Sequence, residues 1–238
     1  MRNSAFQSNK QHTLKSVVTS DEGIALHSAA VVSLRIEPAD INSGINFIRT
    51  DLDTPVMFPA LATVVGDTKL GTVLTHPSGA TLSTVEHLMA AFWGAGIDNA
   101  TIYVNGPEMP IMDGSSTPFL EMIAQAGIKK QKASRIFNDV KSPIHLEMDG
   151  SEIEILPYDG FAIEVAIDFE HEAIGQQKLI VDFSETSFAG AMSNARTFGF
   201  LKEVEYLKTI GLARGGSLDN AIVLDDAEIM NPEGASLK

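Results

Sequence analysis

One pattern occurs twice in this 238-residue chain and narrows the folds open to it. Gly96-Ile97-Asp98-Asn99-Ala100 leads into the strand-forming run Thr101-Ile102-Tyr103-Val104, and Ser217-Leu218-Asp219-Asn220-Ala221 leads into Ile222-Val223-Leu224. Each copy follows a segment of helical periodicity. Each is followed by an acidic residue, a methionine and a proline: Glu108, Met109 and Pro110 first, then Glu228, Met230 and Pro232. Self-similarity of this kind marks one supersecondary unit used twice. The expected fold class is α+β, with two related domains, each a β-sheet with helices on one face. In the first unit a helix over about 117–126 follows the Glu-Met-Pro loop. In the second the sequence reaches Lys238 where the counterpart would begin, so that unit is expected to lack its last helix.

The remaining elements follow from local pattern. Clusters of β-branched residues predict strands at Lys15 to Thr19, Ala29 to Ile36, Gly44 to Arg49, Thr72 to Leu74 and Ile97 to Val104. A second β-rich region is expected at Ile136 to Glu147, Glu152 to Leu156, Phe161 to Phe169 and Lys178 to Phe183, followed by a helix over Phe200 to Ile210 with Leu201, Val204 and Leu207 on its apolar side. The basic, polar run Lys129-Lys130-Gln131-Lys132 is the best linker candidate. The expected organisation is a polar N-terminal segment (1–11), a first α+β domain (12–128), a linker (129–134) and a second α+β domain (135–238).

Bulk properties exclude several function classes. There are 31 acidic against 17 basic residues, a net charge of -14, and a nucleic-acid backbone needs concentrated Lys and Arg. The absence of cysteine removes disulfides and thiolate metal sites, so any metal must use His and carboxylate ligands. No apolar run approaches the roughly 20 residues that span a bilayer, and the N-terminus lacks the apolar core of a signal peptide. The protein is expected in the cytoplasm.

Chemistry concentrates in Ser83 to Gly94. Val85, Leu88, Met89 and Phe92 recur at helical spacing, Ser83 with Glu86 forms a capping-box pattern, and Gly94 and Gly96 can end the helix. Glu86 and His87 fall off the apolar stripe near the helix start. A carboxylate beside an imidazole suits metal-assisted hydrolysis, in which the imidazole binds the cation and the carboxylate takes a proton from water. From these two residues alone the plainer alternative is favoured: Glu86 as a capping residue and His87 as a surface histidine. His27, taken alone, is likewise better read as structural.

Taken together, Thr84-Val85-Glu86-His87-Leu88, Gly96-Ile97-Asp98-Asn99, Pro110-Ile111-Met112-Asp113-Gly114-Ser115, Ala195-Arg196-Thr197-Phe198-Gly199-Phe200 and Gly215-Gly216-Ser217-Leu218-Asp219-Asn220-Ala221 stand in a specific order. The chain resembles the zinc-dependent UDP-3-O-acyl-N-acetylglucosamine deacetylases of lipid A biosynthesis in Gram-negative bacteria, from about residue 10 onward. The resemblance implies helices sandwiched between two outer sheets, Zn2+ as cofactor and a UDP-linked acylated glucosamine as substrate. It implies Glu86 as general base, His87 as a zinc ligand, Thr197 and Phe198 as substrate-lining residues, Leu70 in the bordering loop and His27 near the mouth of the site. Asp113 matches a loop aspartate supporting the site, although a turn role before Gly114 is slightly favoured. The segment around His171 to Ala191 would contribute to a passage for the acyl chain. A monomer is expected, touching a membrane only peripherally, through that acyl chain.

The family's remaining zinc ligands lie in a His-Lys-x-x-Asp motif following the equivalent of Leu237-Lys238, with a general-acid histidine beyond. The sequence contains neither, so it is expected to bind zinc weakly and to be inactive or nearly so. The alternatives are a non-catalytic module that binds the nucleotide sugar or acyl chain, or an inactive fragment.

Overall fold

In Ala100–Val104 the residues Ala100, Ile102 and Val104 are buried, while Thr101 and Tyr103 are only half-buried on the opposite face. This period of two builds a sheet with one side on a core. The computed structural model describes residues 8–232. The N-terminal half runs β1 (Lys10–Leu14), β2 (Val18–Thr19), β3 (Gly23–Ile24), β4 (Val31–Val32), β5 (Leu34–Pro38), β6 (Ile45–Arg49), β7 (Val56–Pro59), β8 (Leu74–Thr75), β9 (Thr81–Leu82), α1 (Glu86–Ala95), β10 (Ala100–Val104), α2 (Thr117–Ala126) and β11 (Ile128–Ser134). Five strands form one mixed sheet in the order β2-β5-β10-β6-β7, with β10 antiparallel to β5 and parallel to β6.

Both helices pack on this sheet. Leu88 and Phe92 of α1 and Phe119 and Ile123 of α2 join Ile36, Phe47, Phe58 and Ile102 in one core, and each such side chain contributes about 1.5–3 kcal/mol on burial. Pro118 stands in the first turn of α2, where its missing N–H costs nothing. Gly96, not Gly94, ends α1: at φ 71 its N–H reaches the carbonyls of Phe92 and Trp93.

The C-terminal half continues β12 (Ile144–Met148), β13 (Ser151–Ile155), β14 (Ala162–Phe169), β15 (Gly175–Asp182), α3 (Phe188–Ala191), β16 (Phe198–Phe200), α4 (Leu201–Thr209) and β17 (Ile222–Leu224). Its strands pair as two antiparallel hairpins, β12 with β13 and β14 with β15, and as one parallel pair, β16 with β17. The chain is a mixed α+β protein. Trp93 meets Phe161, Phe183 and Phe188 at 4.9, 4.8 and 6.0 Å between ring centroids. With Ala90 and Leu120 beside them, α1 and α2 have the five-stranded sheet on one side and this aromatic cluster on the other.

Several expectations are corrected. The Ser83–Glu86 capping box does not form, because Val85 occupies the cap position without a side-chain hydrogen bond. Thr84 adopts φ 62 and gives its N–H to Thr72 O, so the chain turns just before the helix and Glu86 faces Thr72 instead. Residues 129–134 are not a loose connection: they lie in β11, antiparallel to β1. Gln131 holds Asn99 and Ala39 there, and the exposed lysines mark an edge strand. The predicted strand at Ala29 to Ile36 divides at Ser33 between two sheets. In α4 the expected apolar side is the less exposed one, with Leu201, Val204 and Leu207 half-buried and the other residues exposed. The polar stretch 1–7 and the position of a second-unit final helix near 233–238 lie outside the described residues.

Gly94 is needed for close approach. A Cβ there would stand 2.3 Å from Phe188 Cδ1. Gly94→Ala is expected to destabilise by about 1–3 kcal/mol through overpacking, despite the gain in helix propensity. Urea denaturation checks this, and Phe188→Leu combined with Gly94→Ala should recover part of the loss.

Candidate active site

Glu86 and His87 open α1 side by side. Glu86 Oε2 accepts the Thr72 N–H at 3.0 Å, which fixes the carboxylate against the 70–72 loop. Gly71 lets that loop lie close, since a Cβ there would stand 3.3 Å from Glu86 Oε1. Among the described residues Oε1 accepts no hydrogen bond, so this oxygen is available to a water or substrate. The half-buried His87 ring also makes no hydrogen bond to a described residue. Burial holds the His87 pKa below the ordinary imidazole value, and the carboxylates of Glu86 and Asp113 oppose that shift without reversing it. His87 is thus a neutral imidazole at pH 7, the form that can donate a lone pair.

Asp113 forms the turn considered for it, close to His87. Its Oδ1 accepts the N–H and hydroxyl of Ser115, both at 2.8 Å, which is an Asx turn. Its charge also acts on His87. The following Gly114, at φ 85, has no room for a side chain, because a Cβ would stand 2.2 Å from Asn220 O. Thr197 N–H donates to Gly114 O at 2.9 Å, bringing Thr197 to the Asp113 loop.

His27 approaches from a third direction. Its Nε2–H donates to Leu70 O at 3.1 Å, and its Nδ1 accepts the Ala213 N–H at 3.4 Å. These partners assign the neutral Nε2–H tautomer. Leu70, at φ 66 and 47% exposed, caps the loop. The fold therefore gathers Glu86, His87, Asp113, His27, Leu70 and Thr197. Phe198 stands apart in β16, edge-to-face with Phe169 at 5.4 Å between ring centroids and packed with Ile174, Ile222 and Leu224.

A cavity of about 440 Å³ opens near Phe169, His171, Phe200 and Leu224, on the Phe198 side and not at Glu86. Within 171–191, Phe183 and Phe188 pack on α1. Pattern reading missed Thr72, which orients Glu86, and Glu108, whose carboxylate holds the His27 backbone. Neither residue type carries a sequence signal for such a contact.

A family model described as LpxC: UDP-3-O-acyl N-acetylglycosamine deacetylase matches residues 11–238. The chain belongs to this family. It is 49% identical over 231 residues to the UDP-3-O-acyl-N-acetylglucosamine deacetylase of Histophilus somni, covering 96% of this chain and 75% of that protein. The Pasteurella multocida protein of the same name is 48% identical with the same coverage. That of Photobacterium profundum is 48% identical over 227 residues, 94% of this chain and 74% of that protein.

The fit to a metal is partial. His87 offers one imidazole donor, and among the described residues no group of three or more His, Asp or Glu side chains is arranged to hold a metal ion. No described helix is long and apolar enough to cross a membrane.

Because the folded pKa of His87 is depressed, its neutral form contributes stability above about pH 6.5, the unfolded value. That contribution declines as pH falls through the folded pKa. Urea titrations in the absence of added metal, from pH 7.5 to pH 5, should show wild type losing more stability than His87→Gln.

Proposed function

We propose that this chain is a zinc-dependent hydrolase that removes the acetyl group from UDP-3-O-acyl-N-acetylglucosamine in the formation of lipid A. The observation that carries the reading is the pair at the start of α1. There a carboxylate oriented by Thr72 N–H stands beside an imidazole that burial keeps neutral. Glu86 acts as general base, taking a proton from the attacking water at Oε1. His87 offers its lone pair to Zn2+, which when bound supplies Lewis acidity at the acetyl carbonyl. The Asp113 carboxylate acts against the depression of the His87 pKa, Leu70 and His27 border the entry, and Thr197 lines the path of the substrate, with Phe198 beyond it in β16.

Acetate release from the UDP-linked substrate, with zinc present, tests this. Glu86→Gln should lower kcat by about 100- to 10,000-fold, the usual contribution of a general base, while zinc content per chain stays unchanged. His87→Ala should lower bound zinc as measured by atomic absorption. Unchanged turnover in Glu86→Gln refutes the assignment.

The lack of a three-ligand metal group among the described residues favours a second reading, a module that binds the nucleotide sugar without turnover. Calorimetric titration with the UDP-sugar in the presence of a chelator separates the two. Binding without zinc, together with no acetate release when zinc is restored, supports the module.

A further inference from the structure

Glu108 is 3% exposed and takes no part in the chemistry above, yet its carboxylate collects four donors. Oε1 accepts the His27 N–H at 2.9 Å and the Thr84 hydroxyl at 3.1 Å. Oε2 accepts the Ser28 N–H at 2.9 Å and the Ser28 hydroxyl at 2.7 Å. The flanking backbone is pinned on both sides: Met109 N–H donates to Ser83 O, Ser83 N–H to Pro107 O, and Ile111 N–H to Ile24 O. One buried side chain thus joins the His27 turn to the turn that launches α1.

The connection closes on itself. His27 reaches Leu70 O through Nε2. Two residues on, Thr72 N–H holds Glu86, and Thr72 O accepts from Thr84 N–H. Thr84 in turn holds Glu108. Thr84 is β-branched and sits at φ 62, a left-handed conformation that persists only where surrounding bonds enforce it. The Glu108 carboxylate and the Thr72 carbonyl are the two bonds that do so.

We propose that Glu108 is a positioning residue of the deacetylation site: it fixes the spacing between His27 and Glu86 by holding both turns on one carboxylate. The proposal rests on the reading of Glu86 as the base. A neutral isostere cannot replace it. Glutamine has one acceptor oxygen, so its NH2 must face either the His27 and Thr84 donors or the two donors of Ser28.

The test compares wild type with Glu108→Gln, Thr84→Val and Thr84→Ser by acetate-release kinetics, thermal unfolding and histidine side-chain 15N NMR. Glu108→Gln should lower kcat about 10- to 100-fold, the scale of a misplacement near 1 Å, with little change in KM. It should also lose the protected His27 Nε2–H resonance. Thr84→Ser, which keeps the hydroxyl, should regain most of the kcat lost in Thr84→Val. Should Glu108→Gln fail to fold, the Thr84 pair decides: equal kcat values for Ser and Val overturn the proposal. If wild type releases no acetate, the reading of Glu86 fails. The His27 resonance then decides alone, and its persistence in folded Glu108→Gln overturns the proposal.

Discussion

The site depends on how completely α1 is enclosed. Leu88 and Phe92 face the five-stranded sheet, and Ala90 and Trp93 face the aromatic cluster of the C-terminal half. A helix held on two sides cannot rotate or slide without opening a core packed at crystal-like density. Only its first two residues remain polar and outside that grip. Glu86 and His87 are consequently presented by one of the most constrained elements of the chain, and four other segments, around 27, 70–72, 113 and 197, are brought near them.

This arrangement explains the neutral imidazole. Packing that fixes α1 also removes water from the His87 ring, so the imidazole stays neutral although two carboxylates act on it. For Glu86 a backbone amide performs the orienting role, which leaves the second oxygen open.

Much of this was readable from the sequence, for identifiable reasons. The spacing of Leu88 and Phe92 marks the buried face of α1, and that face places Glu86 and His87 off it. In the twin Asp-Asn-Ala segments Asn99 and Asn220 are both buried and both accept backbone amides, Asn99 from the distant Gly44 and Asn220 from the nearby Ser217. Three features were not legible. Glu108 lies between two prolines and reads only as part of a loop, because nothing local reveals that four donors arrive from residues 27, 28 and 84. The capping box failed at Thr84, where tertiary hydrogen bonds impose a backbone conformation that Thr does not favour. The lysines of β11 suggested a linker because strand pairing with Lys10–Leu14 is a long-range event with no trace in composition.

The contact between Gly114 and the Asn220 carbonyl carries a consequence for how the molecule assembles. These residues are separated by more than a hundred positions in the chain, and the contact braces the loop bearing Asp113 against the C-terminal half. Contacts so distant in sequence are made late, after the entropy of closing a long segment has been overcome. The contact between the Asp113 loop and the segment around Asn220 is therefore expected to form after the local pairings of the N-terminal sheet.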